Sequence, residues 1–304
     1  MKKLIKNKNV YTKKDVLVLS KKLIAIDMDG TLLSSDHQIS AVNKKAIKDA
    51  QAAGHIVMIC SGRAHDRVLV TLEEEGLSGL PISASNGAVA LVDETIIDRI
   101  CMNRESAAKI YDWLDALDYP FQVFTETGFY RPEGFVERAK HEFITTPRVK
   151  HPHFNDLNKM EAYLKNSPAT YITQSFDIPA EASVFKFYIY APDMNKKATA
   201  IAFEKSIADL TITSSFEDNV EISDIKANKG TGLAVVANHF NIQMADTIAI
   251  GDNYNDLAML EAAGTAVAMG NAEAGIKEIS NFVTLTNDEN GVAHAIDKYV
   301  LERA

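Results

Sequence analysis

Cysteine is nearly missing from this chain of 304 residues, which has two, Cys60 and Cys101, far apart and each inside an apolar run. A disulfide framework needs more cysteines at closer spacing, so both are expected as reduced core residues. A thiol nucleophile at Cys60 would need a histidine base in a matching motif, and the sequence offers none. Also missing is any stretch near the roughly twenty apolar residues of a membrane span. The apolar piece Val16-Leu17-Val18-Leu19 is too short for a signal peptide and has no cleavage-type segment behind it, so a cytoplasmic protein is expected. Positive charge is scarce as well. With 32 Lys and Arg against 41 Asp and Glu, the formal net charge is -9 and the pI about 5.4. That balance argues against nucleic acid and against an anionic membrane surface as partners. Any phosphate this protein handles must be caught by local groups. No internal repeat or low-complexity stretch appears.

What is present is ordinary globular composition, 46% hydrophobic and 24% charged, over a length that suits two compact domains. Residues 1–21 stand apart as a lysine-rich N-terminal extension, expected to be solvated. From Lys22 onward, short apolar runs alternate with amphipathic segments. Leu23-Ile24-Ala25-Ile26 reads as a buried strand ending at Asp27, followed by a helix with Ser40 as N-cap and Gly54 as terminator. Residues 56–60 give a second strand, a second helix stops at Gly76, and residues 81–85 give a third strand. The rhythm resumes near residue 229 with helices near 230–240, 256–263, 272–280 and 292–301 and strands at 247–250, 266–269 and 282–285. Continuous apolar strands alternating with helices predict a Rossmann-like, doubly wound parallel sheet, an α/β core over residues 22–87 and 223–304. Residues 88–222 differ. Two hairpin-like pairs (88–92 with 95–100, 121–125 with 128–131), an alternating strand at 185–190 and helices near 104–117, 156–165 and 195–208 predict an inserted α+β cap domain with an antiparallel sheet.

The strongest chemical signal is Asp27-Met28-Asp29-Gly30-Thr31-Leu32-Leu33, directly after a buried strand. Ligands of parallel α/β sheets bind beyond the carboxyl ends of the strands, where these acids fall. Alternation along extended chain points Asp27 and Asp29 to one side, and Gly30 permits a turn that a side chain would obstruct. Three further elements end or follow core strands at the same edge. Ser61-Gly62 offers a hydroxyl and a free N–H, Lys229-Gly230 opens a helix, and Gly251-Asp252-Asn253-Tyr254-Asn255-Asp256 closes a strand with two more acids. Arg63 and Asn86 also sit at core strand ends and are expected to line the cleft. His151-Pro152-His153 has no acids nearby and reads as a cap loop, not a metal pair.

In this order the four elements, with Ser85-Asn86-Gly87-Ala88, Asn228-Lys229-Gly230-Thr231-Gly232 and Gly291-Val292-Ala293, resemble the haloacid-dehalogenase superfamily. More narrowly, they resemble its Cof-like sugar-phosphate phosphatases, which carry a large cap inserted after the third core strand. The resemblance covers nearly all of residues 22–303. The lysine-rich head departs from it, since the family's first strand usually begins within a few residues of the start. The resemblance implies a phosphoric monoester hydrolase that needs Mg2+, with Asp27 as the nucleophile forming an aspartyl-phosphate. It implies a metal site of Asp27, the backbone carbonyl of Asp29, and Asp252. Asp29 is then the acid that protonates the leaving oxygen and the base for the hydrolytic water. Ser61, the Met28 and Gly62 N–H groups, Lys229 and Asn255 would hold phosphate oxygens, and Asp256 would stand behind Lys229 or the metal. Physical chemistry asks for such an ion. A carboxylate and a phosphate at 4 Å repel by about 4 kcal/mol per pair of unit charges at an effective dielectric of 20.

The implied substrate is a small phosphorylated metabolite, probed by a monomer or homodimer. A phosphomutase using the same aspartyl-phosphate chemistry is the nearest alternative. A receiver-type signalling domain shares the doubly wound sheet but has neither the paired acid needed for hydrolysis nor a cap of this size.

Overall fold

A computed structural model describes residues 21–146, 156–165, 170–204, 206–214 and 217–303. Most of the lysine-rich extension and the His151/His153 pair lie outside the described residues. The first half of the core runs β1 (Leu23–Asp27), α1 (Ala41–Ala52), β2 (Ile56–Cys60), α2 (His65–Glu74) and β3 (Ile82–Ala84). The Ser40 side chain caps α1 by accepting from the Asn43 amide. A hairpin follows, β4 (Val89–Val92) and β5 (Thr95–Arg99). The next stretch holds α3 (Arg104–Ala116), β6 (Phe121–Thr125), β7 (Gly128–Pro132), α4 (Phe135–Thr145), α5 (Leu157–Lys165), β8 (Thr170–Thr173), β9 (Val184–Tyr190), α6 (Met194–Glu204), β10 (Leu210–Thr213) and β11 (Asn219–Asp224). The chain then returns through α7 (Lys229–His239), β12 (Thr247–Gly251), α8 (Leu257–Ala262), β13 (Thr265–Ala268), α9 (Ala274–Ile279), β14 (Phe282–Val283) and α10 (Gly291–Tyr299).

Two sheets result. The first has eight strands in the order β14-β13-β12-β1-β2-β3-β4-β5, and the second six in the order β10-β11-β9-β6-β7-β8. In the first sheet β1 lies between β2 and β12, parallel to both, with Ile26 opposite Ile59 and Ile250. All five residues of β1 and of β12 are buried, which explains their unbroken apolar runs: helices cover both faces of this sheet. Strand order reverses at β1. Its neighbours come from opposite ends of the core sequence, so a crevice opens beyond its carboxyl end.

One expectation needs correcting. The hairpin at 88–100, expected in the inserted domain, extends the first sheet instead, since β4 pairs antiparallel with β3 and β5 with β4. All four residues of β4 are buried, while β5 at the sheet edge is largely exposed. Period-two patterning reveals a hairpin without saying which sheet it joins. The second sheet is antiparallel as expected, apart from the parallel pairing of β7 with β8. It has its own core, with Tyr111, Phe121 and Phe187 among its fully buried side chains. Helix α4, β8, β10 and β11 were not anticipated from the sequence. Among the described residues no helix is long and apolar enough to cross a membrane.

Candidate active site

The functional side chains converge because four chain segments end at the same edge of the first sheet. Asp27 is the last residue of β1, and Asp252 follows the last residue of its neighbour β12. Ser61 and Gly62 follow β2 on the other side of β1. Lys229 is the first residue of α7, whose start is capped by Asn228 accepting from the Thr231 amide at 2.9 Å. A helical side chain leans toward the helix N-terminus, so a lysine at this position projects past the helix start toward the strand ends.

Its ammonium is fully buried and donates to Asp27 Oδ1 at 2.5 Å and to Asp256 Oδ1 at 2.6 Å. Asp256 closes a single 3-10 turn, Tyr254–Asp256, and its second oxygen accepts from the Asp252 and Asn253 amides at 2.8 and 3.1 Å. One carboxylate thereby shapes the loop that carries Asp252 and aims Lys229. Asp252 Oδ1 accepts from Thr31 Oγ1 at 2.7 Å. Carboxylate oxygens of Asp27, Asp252 and Asp256 all lie within 4.8 Å of one another.

Two carboxylates thus share one buried ammonium, and a third, Asp252, lies close by. Burial, with the charges of Asp256 and Asp252, raises the Asp27 pKa well above the ordinary carboxylate value, and Lys229 offsets this only in part. Burial and the Asp256 charge push Asp252 up to about 6. For Lys229, burial alone would favour the neutral amine, but Asp256 and Asp27 outweigh it and hold the ammonium charged. The cluster is short of positive charge, and all its donors are hard oxygens. Gly30 lets the Asp252 carboxylate pack close against the backbone: its φ is +81°, and a Cβ there would sit 2.5 Å from Asp252 Oδ2.

Asp29 stands outside this cluster. Its carboxylate accepts a forked pair of bonds from Arg63, Nε at 2.9 Å and Nη2 at 2.6 Å, with both side chains partly exposed. The side chains of Asp27 and Asp29 therefore take different partners, although only Met28 separates them along the chain. Ser61 is buried, and its Oγ accepts from the Arg63 amide at 3.1 Å. Met28 buries its side chain in the core, and Asn255 is half-buried in the Asp252 loop. Cys60 is buried beneath these groups, and burial pushes its thiol pKa up, away from a nucleophilic thiolate.

Lys186 and Glu221, which belong to no sequence motif of the site, form a buried ion pair at 2.7 Å on the second sheet. Lys186 Nζ also donates to the Gly62 carbonyl at 2.7 Å, and Asn86 Nδ2 donates to Glu221 Oε2 at 2.7 Å. A lysine in the middle of Val-Phe-Lys-Phe-Tyr-Ile-Tyr was the available signal, because a charge on a strand of this kind is either solvated or paired.

A family model for the haloacid dehalogenase-like hydrolases matches residues 24–296, nearly the whole described fold. The chain belongs to that family. Phosphatase YwpJ of Bacillus subtilis (strain 168) is 37% identical over 280 residues, covering 90% of this chain and 98% of YwpJ. A second protein of that strain, the 5-amino-6-(5-phospho-D-ribitylamino)uracil phosphatase YwtE, is 36% identical and covers 91% of this chain and 97% of its own length. The solved structure of a haloacid dehalogenase-like hydrolase from B. subtilis superposes with a TM-score of 0.78 at 34% identity, covering 92% of this chain and all of that one. Family membership places the chain among the Cof-like phosphatases, as a phosphoric monoester hydrolase with a doubly wound core and a cap.

Proposed function

We propose that the chain hydrolyses small phosphomonoesters, with sugar phosphates the expected class, in a magnesium-dependent reaction through an aspartyl-phosphate at Asp27. The observation that carries this reading is the cluster of buried Asp27 and Asp256, bound by the Lys229 ammonium, with half-buried Asp252 beside them. A surplus of hard carboxylate oxygens in a largely buried cluster suits a small divalent cation. Asp27, Asp252 and the Asp29 carbonyl would hold it. When bound, it supplies screening of the repulsion between carboxylate and phosphate. Asp256, with its oxygens committed to Lys229 and two amides, acts by orienting Lys229.

In the proposed reaction an Asp27 oxygen attacks phosphorus, the ester P–O bond breaks, and Asp29 gives its proton to the leaving oxygen. Asp29 then takes a proton from water, whose oxygen attacks the aspartyl-phosphate and releases inorganic phosphate and free Asp27. Lys229, Ser61, Asn255 and the Met28 and Gly62 amides meet the charge that builds on the phosphoryl oxygens. Arg63 holds both oxygens of the Asp29 carboxylate, so Asp29 turns from this pairing toward the leaving oxygen and the water when it carries the proton.

The small-substrate reading has two supports. The second sheet seats Phe124 and Phe129 against Ala64, which follows the Ser61-Gly62-Arg63 turn, so it covers the edge where these groups lie. A phosphoprotein would hold the two domains apart. YwtE, by its name, acts on a small monoester bearing a ribityl chain, which agrees with a polyol phosphate. The test is kcat/KM over hexose, pentose and triose phosphates, nucleotides, pyridoxal phosphate and phosphopeptides, with magnesium and with excess chelator. Small esters should lead, chelator should abolish turnover, and inorganic phosphate should appear without an activating bisphosphate, which separates hydrolase from mutase. A phosphopeptide at or above the best small ester overturns the substrate class.

A further inference from the structure

Two peptide planes flank Gly62, and each has its carbonyl held from outside the turn. The Ser61 carbonyl accepts from the Asn86 amide at 3.0 Å, and the Gly62 carbonyl accepts from Lys186 Nζ at 2.7 Å. A trans peptide directs its C=O and N–H to opposite sides, so the bond from Asn86 turns the Gly62 N–H away from the Ser85–Gly87 turn. Glycine is the residue freest to rotate both planes, so these two bonds, with the one from the Arg63 N–H to Ser61 Oγ, set the direction of that N–H. One group of the second sheet touches both donor residues, Lys186 through its ammonium and Asn86 through its side chain, while the backbone N–H of Asn86 makes the bond to Ser61. Glu221 Oε2 accepts from Lys186 Nζ and from Asn86 Nδ2, each at 2.7 Å, and Asn86 Nδ2 also reaches Thr213 Oγ1 at 3.2 Å.

The register explains the convergence. Glu221 stands opposite Thr213 on β10 and opposite Tyr188 on β9, two residues from Lys186, so all four share one face of the sheet. Lys186 stands opposite Phe124 and lies over its ring, 4.7 Å from the centroid. The Lys186 and Glu221 side chains are 2% and 4% exposed, and Asn86 is buried in a left-handed conformation, φ 55° and ψ 41°. Asparagine tolerates that conformation better than most residues with a side chain.

We propose that Lys186, Glu221 and Asn86 are positioning residues that couple the seating of the second sheet to the direction of the Gly62 N–H. This inference rests on the proposed function, in which that N–H receives a phosphate oxygen. Seating the sheet brings Lys186 to one carbonyl and Glu221 to the Asn86 side chain, and both planes lock together. The phosphate site is then complete only with the sheet in place.

The test uses the full chain with Lys186→Met, Glu221→Gln, Asn86→Ala and the double variant Lys186→Met/Glu221→Gln. Read-outs are kcat/KM for a hexose phosphate and for p-nitrophenyl phosphate, the inhibition constant of inorganic phosphate, and Tm. Each variant should lose about tenfold to a hundredfold in kcat/KM, by a similar factor for both esters, because the affected group meets phosphate and not the leaving group. Inorganic phosphate should bind correspondingly less well. The double variant carries no unpaired buried charge, so its Tm should return toward the parent while activity stays low. Recovery of activity along with Tm would show a purely structural pair and overturns the proposal. So does a loss confined to the hexose phosphate, or unchanged kinetics in an active parent background. A parent inactive on every monoester overturns the proposed function instead.

Discussion

Lys229 and Asp27, 202 residues apart in sequence, meet at 2.5 Å in the interior of the fold. The ammonium has no exposure to solvent and is shared with Asp256 at 2.6 Å. Lys229→Met leaves two carboxylates buried without their cation, a change that typically costs about 3–5 kcal/mol. Activity should fall by at least about a hundredfold, since a cationic donor to the phosphoryl oxygens is lost too. Lys229→Arg should not rescue it, because a guanidinium does not fit the fully enclosed space of the ammonium. Chemical denaturation and steady-state kinetics on the two variants check both effects.

Asp29 and Arg63 give a prediction that divides the reaction in two. Asp29→Asn keeps the backbone carbonyl and removes the proton carrier. With alkyl phosphates kcat should fall by about 10² to 10⁴. With an activated aryl phosphate, whose leaving group barely needs an acid, a phosphoenzyme should accumulate and appear as an adduct in intact-mass spectra after acid quench. Normal turnover of an alkyl phosphate with no adduct contradicts the role of Asp29.

Much of this site was legible because its residues end apolar strands. Asp27, Ser61 and Asp252 each follow a run that can only be a buried strand, and parallel topology sends such ends to one edge. What escaped the sequence depends on contacts between segments far apart in the chain. The Asp27 and Asp29 carboxylates, expected on one side, take Lys229 and Arg63 as separate partners. Asp256, expected behind the metal ligands, also brings an oxygen within 4.8 Å of those of Asp27 and Asp252. The 89–99 hairpin joins the first sheet through β3, a pairing that its own alternation does not encode. Lys186 and Glu221 look like solvated strand residues until the second sheet is laid against the first.

Gly30 tests the metal reading without replacing a carboxylate. A methyl group in its place meets Asp252 Oδ2 at 2.5 Å, on a backbone whose φ of +81° already disfavours a side chain. Gly30→Ala should raise the magnesium concentration for half-maximal activity by about tenfold or more, the size of effect seen when groups supporting metal ligands are disturbed. Magnesium titration of activity and calorimetry with magnesium alone give the answer, and unchanged affinity argues against Asp252 as a ligand.

Asp218 gives a pH-dependent prediction away from the site. It is buried, neither carboxylate oxygen has a hydrogen-bond partner among the described residues, and burial pushes its pKa from 3.8 up to about 6. Because the folded value lies above the unfolded one, the stabilising protonated form is fully present below about pH 4 and is lost as pH rises through 6. Asp218→Asn should therefore stabilise the protein at pH 7.5 by about 1–3 kcal/mol and lose that advantage near pH 4. Melting curves of both proteins across this range decide it; a constant difference in Tm would contradict a titrating carboxylate.

The central claim is that Asp27 carries the phosphoryl group. It is tested most directly by mixing enzyme with magnesium and a phosphomonoester, quenching in acid within the first turnover, and locating the modification by peptide mass spectrometry. The account predicts one phosphoryl group on the peptide containing Asp27, gone in Asp27→Asn, which should melt near the parent temperature and release no measurable phosphate. A parent that turns over with no adduct at Asp27, together with an Asn variant keeping a tenth of the parent kcat, a loss of only about 1.4 kcal/mol, would contradict it.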